Sequence, residues 1–251
     1  MPFTVAVAGK GGTGKTTFAA MLIRRLIEKK TGSILALDAD PNSNLNEALG
    51  LAVPLTIADF IEETKAAKPL PAGMTKNQFI EYKLQTAIAA SERVDLLAMG
   101  TPEGSGCYCY PNDLVRQHLT NLSSDYDYLV MDNEAGLEHL SRRIAVDVDI
   151  MFVISDASAR GIRSAGRVRE IMEGVKTNAK RVFLIVTKVN GDLAPLMPEI
   201  EKTGLELIGT IPLDQMVAQY DMEGKPLAEL PADSPAVVAT QAILDKIPQF
   251  N

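Results

Sequence analysis

The sequence contains no tryptophan, and aromatic residues make up only 5% of its 251 residues. Proteins that bind single-stranded nucleic acids without sequence preference stack bases on aromatic side chains, so this composition disfavours that class. Nonspecific nucleic-acid binders are usually basic as well, whereas 25 Lys and Arg against 32 Asp and Glu give this chain a net charge of −7. The composition therefore argues against nucleic acid as a partner.

Cysteines and long hydrophobic runs are also scarce. Two cysteines cannot form a disulfide framework, and this favours a reducing compartment. No segment approaches the roughly 20 uncharged apolar residues of a membrane span, and the most apolar segment, Ile144–Ile154, contains Asp147 and Asp149. The first residues lack the basic region of a signal peptide. We therefore expect a cytoplasmic protein with no membrane partner.

Short β-branched segments alternate with amphipathic helical segments along the chain. The predicted strands are Thr4–Ala8, Ile34–Leu37, one within Ser91–Met99, Tyr128–Met131, Ile150–Ile154, Val182–Val186 and Leu207–Ile211, and the predicted helices are Thr16–Lys30, one within Thr75–Lys83, Arg160–Lys176 and Ser234–Ile247. Strands separated by helices need crossover connections, which predict an α/β fold with a mostly parallel central sheet and helices on both faces. Since no linker is visible, we expect one domain over residues 1–251, with its ligand beyond the carboxyl ends of the strands.

The segment after the first predicted strand fits the phosphate-loop consensus G-x-x-x-x-G-K-[ST]. It runs Gly9-Lys10-Gly11-Gly12-Thr13-Gly14-Lys15-Thr16-Thr17, between a strand and a helix as the motif requires. The glycines allow backbone N–H groups to surround an anion, and the helix N-terminus adds its dipole. Lys15 is predicted to contact the β- and γ-phosphates, and the Thr16 hydroxyl to bind Mg²⁺. Lys10 is either a solvated loop lysine or a second cation for phosphate, including that of a neighbouring subunit.

Carboxylates follow two other predicted strands. A spacing of two places Asp38 and Asp40 on the same side of an extended chain, so one could orient the attacking water while Asp38 serves the magnesium site. A turn started by Asp40-Pro41 is the alternative. Asp132 ends an apolar strand, as the Mg²⁺-binding aspartate of a Walker B motif does. Gly136 could then bring a backbone N–H to the γ-phosphate and sense hydrolysis.

The segment that ends the sixth predicted strand bears on the choice of base. Val186-Thr187-Lys188-Val189-Asn190 lies where guanine-binding enzymes carry Asn-Lys-x-Asp. The Asn190 amide is both donor and acceptor and matches guanine's donors poorly, so we expect adenine. Thr187 and Lys188 are predicted to contact the base. Pro212 and Leu213 form the apolar wall of the base pocket or, alternatively, an ordinary loop.

Both cysteines of the chain lie in Gly106-Cys107-Tyr108-Cys109-Tyr110-Pro111. A disulfide between them would be strained, whereas two neighbouring thiolates suit a soft metal. Zn²⁺ and square-planar Ni²⁺ take four ligands, so the economical completion is a twofold dimer in which each chain contributes two cysteines. The alternatives are ligation by His118 or His139, and two buried cysteines without a metal.

Together these motifs resemble a known group of proteins. Gly9–Thr17 with the additional Lys10 resembles the deviant Walker A ATPases, which work as nucleotide-sandwich dimers and include the MinD and ParA types. Cys107-Tyr108-Cys109 and Asp132–Leu140 resemble the CooC type, the nickel-insertion ATPases that mature carbon monoxide dehydrogenase and acetyl-CoA synthase. The resemblance runs along nearly the whole chain.

The resemblance implies a role for each matching residue. Lys10 would reach across the dimer, and Asp40 would be the hydrolytic carboxylate of switch I. Asp132 and Gly136 would belong to switch II. Cys107 and Cys109 would form the metal site between subunits. Thr187 departs from the pattern, because many relatives have an asparagine there that contacts adenine.

Other members of the group fit the sequence less well. MinD-type proteins carry a basic amphipathic membrane helix at the C-terminus, whereas Ser234–Phe250 contains one lysine. A partition ATPase would need a basic surface for DNA. We therefore expect an ATP-hydrolysing homodimer that uses ATP and Mg²⁺ and delivers Ni²⁺, or binds Zn²⁺, for a client nickel enzyme. The alternative is a MinD- or ParA-like nucleotide switch that positions a protein or DNA partner and holds a structural zinc.

Overall fold

The computed structural model describes residues 1–65, 71, 73–101, 121–133, 147–175 and 179–251. Five residues that the sequence singles out lie outside this part of the chain, namely Cys107, Cys109, His118, Gly136 and His139. The predictions made for them are therefore predictions from sequence alone.

Within the described residues, the strands form one sheet in which every pairing is parallel. The strands are β1 (Phe3–Gly9), β2 (Ile34–Asp38), β3 (Asp95–Ala98), β4 (Tyr128–Asp132), β5 (Val148–Asp156), β6 (Ala179–Val189) and β7 (Glu206–Pro212). Their order across the sheet is β3-β2-β4-β1-β5-β6-β7. The predicted α/β fold with a parallel sheet is confirmed, and each predicted strand is present.

The helices run between these strands. They are α1 (Lys15–Lys29), α2 (Leu45–Leu49), α3 (Ile57–Lys65), α4 (Lys76–Ala87), α5 (Ala159–Val175), α6 (Met197–Thr203), α7 (Gln215–Glu223) and α8 (Pro235–Leu244). Thr75 caps α4 through a reciprocal pair of hydrogen bonds with Gln78, which explains why this helix begins where it does. None of the helices in the described ranges is long and apolar enough to cross a membrane.

Apolar side chains bury both faces of the sheet. On β1, Val5 and Val7 pack into one buried cluster with α1 and α8, whereas Ala6 and Ala8 pack into a second cluster with α5. This alternation follows from the two-residue period of a strand. A sheet covered on both faces needs strands that are apolar throughout, which is why these segments are continuous hydrophobic runs.

The centre of the sheet is the point at which the chain changes direction. β1 lies between β4 and β5, and the strands that precede β5 in the sequence lie on one side of β1 while those from β5 onward lie on the other. In open parallel sheets, ligands bind beyond the carboxyl ends of the strands at such a point. The carboxyl ends of β1, β2, β4 and β6 therefore lie at one edge of the sheet.

Candidate nucleotide-binding site

The phosphate loop is a tight turn between β1 and α1. Gly9 has φ 145°, and a side chain there would collide with the carbonyl oxygen of Ile154 on the neighbouring strand β5. The Lys10 carbonyl then accepts hydrogen bonds from the Thr13 hydroxyl (2.8 Å) and the Lys15 ammonium (3.4 Å). Lys15 is 7% exposed. These two hydrogen bonds to the Lys10 carbonyl close the loop, and they hold the motif lysine, Lys15, inside it.

The N-terminus of α1 is available to an anion. Gly14 is its N-cap residue, with φ 87°, so no side chain caps the helix, and no acidic residue lies in its first turn. The first N–H groups of a helix have no partner within the helix and carry the positive end of its dipole. An uncapped helix that follows a glycine loop is the arrangement that binds phosphate.

Asp132 and Thr16 form the polar centre beside this loop. The Thr16 hydroxyl donates to Asp132 Oδ2 at 2.6 Å. The Asp132 side chain is 1% exposed, and its other oxygen, Oδ1, has no hydrogen-bond partner among the described residues. A buried carboxylate oxygen without a partner is costly. The pair offers hard oxygen atoms of the type that Mg²⁺ prefers, so these residues fit a magnesium ion.

The charge of Asp132 is poorly compensated. Burial, together with the negative charges of Asp38 and Asp40, raises the pKa of Asp132 to about 7, against the lowering effects of the Thr16 hydrogen bond and the Lys15 ammonium. A bound cation would favour the ionised carboxylate and reverse this shift. The site is therefore short of positive charge when no metal or substrate complex is present.

The loop after β2 is organised by Asp38. Its carboxylate is fully buried and accepts backbone hydrogen bonds from Asp40 (3.1 Å) and Leu45 (2.8 Å). Burial raises the pKa of Asp38 to about 6, although the two amide hydrogen bonds lower it. In this structure Asp38 therefore fixes the start of α2 and the backbone of Asp40. Its predicted part in the magnesium site stays a prediction.

Asp40 lies at the mouth of the same loop. It is partly exposed, and its Oδ1 accepts hydrogen bonds from the backbone (2.9 Å) and side-chain (3.0 Å) nitrogens of Asn42. The turn that Asp40-Pro41 predicts as an alternative is therefore formed. Asp40 is also close enough to Asp132 to perturb its titration. The turn and the hydrolytic role are thus compatible, because Oδ1 forms the turn while Oδ2 makes no hydrogen bond with the described residues.

Two consecutive residues of β6 hold the phosphate loop in place. The buried Thr187 hydroxyl donates to the Thr13 carbonyl at 2.6 Å, and the Lys188 ammonium donates to the Gly12 carbonyl at 2.7 Å. Lys188 adopts φ 55°, an uncommon conformation for a residue with a side chain. Because these carbonyls point toward β6, the N–H groups that follow them point the other way, into the loop. Thr187 and Lys188 thus orient the loop as well as flank the predicted base pocket.

A cavity of about 200 Å³ opens beside Thr187 and Lys188. Its lining comprises Thr13, Gly14, Thr17, Phe18, Met21, Thr187, Lys188, Ile211, Pro212, Leu213, Asp214, Val217, Ala218, Asp221 and Ala236. The four residues predicted to contact the base all line it. Asn190, on which the sequence-based preference for adenine rests, is exposed and does not line it.

Asp214 is a structural residue of this cavity that the motifs do not indicate. It caps α7 by accepting from the Met216 amide (2.9 Å), and its second oxygen accepts from the Ser234 hydroxyl (2.5 Å) and the Ala236 amide (3.0 Å). Burial alone would raise the pKa of Asp214, but these hydrogen bonds lower it below its usual value. An aspartate before a helical segment predicts the cap, but its bond to a distant segment becomes visible only in the fold.

Lys10 is the exposed lysine of the phosphate loop. Its side chain makes no hydrogen bond or ion pair with any residue in the described ranges. Its ammonium group is therefore not used in closing the loop, unlike that of Lys15.

These features define a class of protein. A parallel α/β sheet, a glycine loop leading into an uncapped helix and a buried aspartate beside the loop threonine are the parts of a P-loop nucleotide-binding protein. The chain belongs to the CobQ/CobB/MinD/ParA nucleotide binding domain family, which matches residues 4–227. It is thus an ATP-binding protein of the P-loop ATPase kind.

Two relatives are similar over most of their length. The chain is 44% identical over 247 residues to an uncharacterized ATP-binding protein of Methanocaldococcus jannaschii, covering 97% of each chain. It is 29% identical over 234 residues to the carbon monoxide dehydrogenase accessory protein CooC of Rhodospirillum rubrum. That match covers 88% of this chain and 87% of the relative.

A solved structure matches nearly the whole fold. The septum site-determining protein MinD of Pyrococcus horikoshii, complexed with Mg-ADP, superposes with a TM-score of 0.70. The match covers 99% of this chain and 96% of that one, at 18% sequence identity. At this identity the match supports the fold alone, and it agrees with the parallel α/β architecture.

Proposed function

We propose that this protein is an ATP-hydrolysing homodimeric metallochaperone that binds nickel and inserts it into carbon monoxide dehydrogenase or acetyl-CoA synthase. The observation that carries the ATPase part is the buried Asp132, whose unpaired oxygen lies beside the Thr16 hydroxyl at the mouth of the phosphate loop. Asp132 and Thr16 present oxygen atoms suited to Mg²⁺, and the phosphate loop presents backbone N–H groups suited to phosphate. The MinD structure that shares this fold holds Mg-ADP.

In this proposal each loop residue has a separate task. Backbone N–H groups from Gly9 to Thr17 bind the phosphates, with Gly11 and Gly12 at the exposed tip of the loop. Lys15 neutralises the β- and γ-phosphates once they replace its bond to the Lys10 carbonyl. Thr16 and Asp132 would hold Mg²⁺, with Asp38 supporting them from the neighbouring strand. The ion supplies charge neutralisation for the transferred phosphate.

Asp40 and Gly136 act on the γ-phosphate side. We assign Asp40 to orienting the attacking water, because it lies in the loop after β2, close to Asp132. Gly136 follows β4 in sequence, and its backbone N–H would report the presence of the γ-phosphate. Loss of the γ-phosphate on hydrolysis would then release the loop that contains Asp40 and the segment that contains Gly136. Their release is how nucleotide hydrolysis could change the arrangement of a dimer.

Lys10 supports the dimer. An exposed lysine without a partner inside a complete phosphate loop is explained if it contacts the nucleotide of a second copy. Opposite charge makes that contact favourable only when the partner holds phosphates. Dimer formation would therefore depend on ATP.

The nickel part rests on the sequence pair Cys107 and Cys109 and on the similarity to CooC, which is named as an accessory protein of carbon monoxide dehydrogenase. Two thiolates from each chain would complete a four-sulfur site for the cargo metal. ATP binding that closes the dimer would alter this site, so nucleotide and metal would be coupled.

The test is activation of a nickel-free client enzyme by the protein, Ni²⁺ and MgATP. We expect activation to require all three.

The Asp40→Ala variant should still bind ATP but should lose turnover by roughly 100-fold or more, since positioning water is separable from holding phosphate. Asp233→Ala is the matched control, because Asp233 is exposed and does not line the nucleotide cavity. Normal client activation without ATP, or wild-type turnover by Asp40→Ala, would contradict the proposal. Activity as a nickel-independent switch would favour the MinD- or ParA-like alternative.

A further inference from the structure

The cavity beside the phosphate loop has one side formed by a single helix. Asp214, Val217, Ala218 and Asp221 all line it, and their spacing of three, four and seven residues places them on one face of α7. Val217 and Ala218 are apolar, as are Ile211 and Pro212 at the end of β7. The cavity therefore offers apolar surface to the flat faces of a base, with carboxylates at both ends of the α7 stripe.

The polar groups of the lining are nearly all engaged. Asp214 accepts three hydrogen bonds, the Thr187 hydroxyl donates to the Thr13 carbonyl, and the Lys188 ammonium donates to the Gly12 carbonyl. Asp221 differs from them. Among the described residues that line the cavity, it is the carboxylate whose oxygens make no hydrogen bond and no ion pair. The positive charge of Lys188 is close enough to favour its ionised form.

We propose that Asp221 is the specificity-determining residue of the nucleotide site and accepts a hydrogen bond from the exocyclic 6-amino group of adenine. This inference rests on the proposed function, because it assumes that a purine nucleotide occupies the phosphate loop. Adenine presents an amine at position 6, where inosine and guanine present an oxygen. A carboxylate accepts only, so it favours the amine and repels the oxygen. Discrimination then comes from α7 and not from Asn190, which lies outside the cavity.

The experiment compares ATP with purine riboside triphosphate, which lacks the 6-amino group, and with inosine triphosphate, by calorimetric titration of the full chain with Mg²⁺ present. Asp221 is exposed, so water competes for its oxygens, and we expect the wild-type protein to bind ATP roughly tenfold more tightly than purine riboside triphosphate. Asp221→Ala should bring the two affinities to within about twofold while phosphate-driven binding persists. Asp221→Asn should bind inosine triphosphate more tightly than wild type does, because its amide can donate to the 6-oxygen.

Glu223→Gln is the matched control. Glu223 lies on the same helix and is exposed, it does not line the cavity, and it hydrogen-bonds Gln219 at 2.8 Å. This variant should keep the wild-type preference. Equal wild-type affinities for ATP and purine riboside triphosphate, or a preference for inosine triphosphate, would overturn the role of Asp221 while leaving nucleotide binding intact. A wild-type chain that binds none of these triphosphates would instead refute the ATPase proposal itself.

Discussion

Asp132 shows how the site balances stability against function. Its folded pKa is raised to about 7 by burial, so folding favours its protonated form. The resulting penalty is absent at acid pH, where the side chain is protonated in both folded and unfolded chains. It develops as pH rises from the unfolded value of 3.8 through about 7. The nucleotide-free protein should therefore lose stability over this range, and Asp38, with a pKa of about 6, acts in the same direction.

We predict that Asp132→Asn stabilises the nucleotide-free protein at pH 8. The amide cannot ionise, and one pKa unit corresponds to about 1.4 kcal/mol, so the gain should be on the order of 1–4 kcal/mol. The gain should shrink steadily toward pH 4. Denaturant unfolding with EDTA at a series of pH values measures it, and Asp233→Asn, at an exposed site, should show no such trend. A loss of stability at pH 8 would contradict the account. The variant should also lose Mg²⁺-dependent ATP hydrolysis.

The residues of the phosphate loop and the aspartates after β2 and β4 could be predicted from sequence, because their roles depend on short local motifs. Asp214 and Asp221 could not. Their positions at the cavity follow from the hydrogen bonds between Asp214 and the start of α8 and from the packing of α7 side chains on the buried cluster beneath it. The hydrogen bonds from Thr187 and Lys188 to the phosphate loop could not be predicted either, because they join residues that are 174 and 176 positions apart in the sequence.

At the scale of elements, the base cavity depends on the junction between β7, α7 and α8. Asp214 joins the three by capping α7 and bonding both Ser234 and the first turn of α8. Its side chain is 7% exposed, so water cannot easily replace it. The junction sets the width of the cavity in which the base is proposed to bind.

We predict that Asp214→Ala destabilises the protein by about 2–4 kcal/mol, because it leaves several donors without an acceptor, two of them buried. The urea midpoint measures this, and the affinity for ATP should fall as well. Asp192→Ala is the control. Asp192 also accepts a backbone hydrogen bond, from Ala194, but at an exposed position, so its loss should cost less than about 1 kcal/mol. Equal costs for the two variants would show that Asp214 does not join the elements as described.

The strands and the long helices were predictable, and the short helices were not. The helix predicted at Arg160–Lys176 is α5, Ala159–Val175, and the predicted strands match β1 to β7. The sequence did not indicate α2, α3, α6 or α7, which have nine residues or fewer. Helices this short carry little periodic signal and depend on packing for their stability.

At the scale of the whole molecule, the proposed roles of Lys10 and of the cysteine pair both require a dimer. A parallel sheet follows from alternating strands and helices, but the order of its strands does not, because many orders satisfy the same connections. That order brings the carboxyl ends of three other strands, β2, β4 and β6, close to the phosphate loop. Lys10 is exposed at the same edge, and in the proposed dimer it is the residue that would extend the site beyond one chain.

We predict that Lys10→Ala abolishes ATP-dependent dimerisation while the monomer still binds nucleotide. Lys10 contributes its backbone carbonyl, not its side chain, to the bonds that close the phosphate loop, so the loop should stay formed. Light scattering with and without ATP measures the mass. Lys29→Ala, at the opposite end of α1, is the control and should dimerise normally. Unchanged dimerisation of Lys10→Ala would show that this lysine does not act across the interface.

The most direct test of the central claim is metal stoichiometry, determined by elemental analysis together with the mass in solution. We predict one Ni²⁺ or Zn²⁺ per dimer, promotion of the dimer by metal, and weaker binding as pH falls and protons compete for the thiolates. Cys107→Ser and Cys109→Ser should lose tight metal binding but keep their affinity for ATP, whereas His118→Ala and His139→Ala should keep both. One tightly bound metal in each isolated monomer, or full binding by the double serine variant, would contradict a shared nickel site.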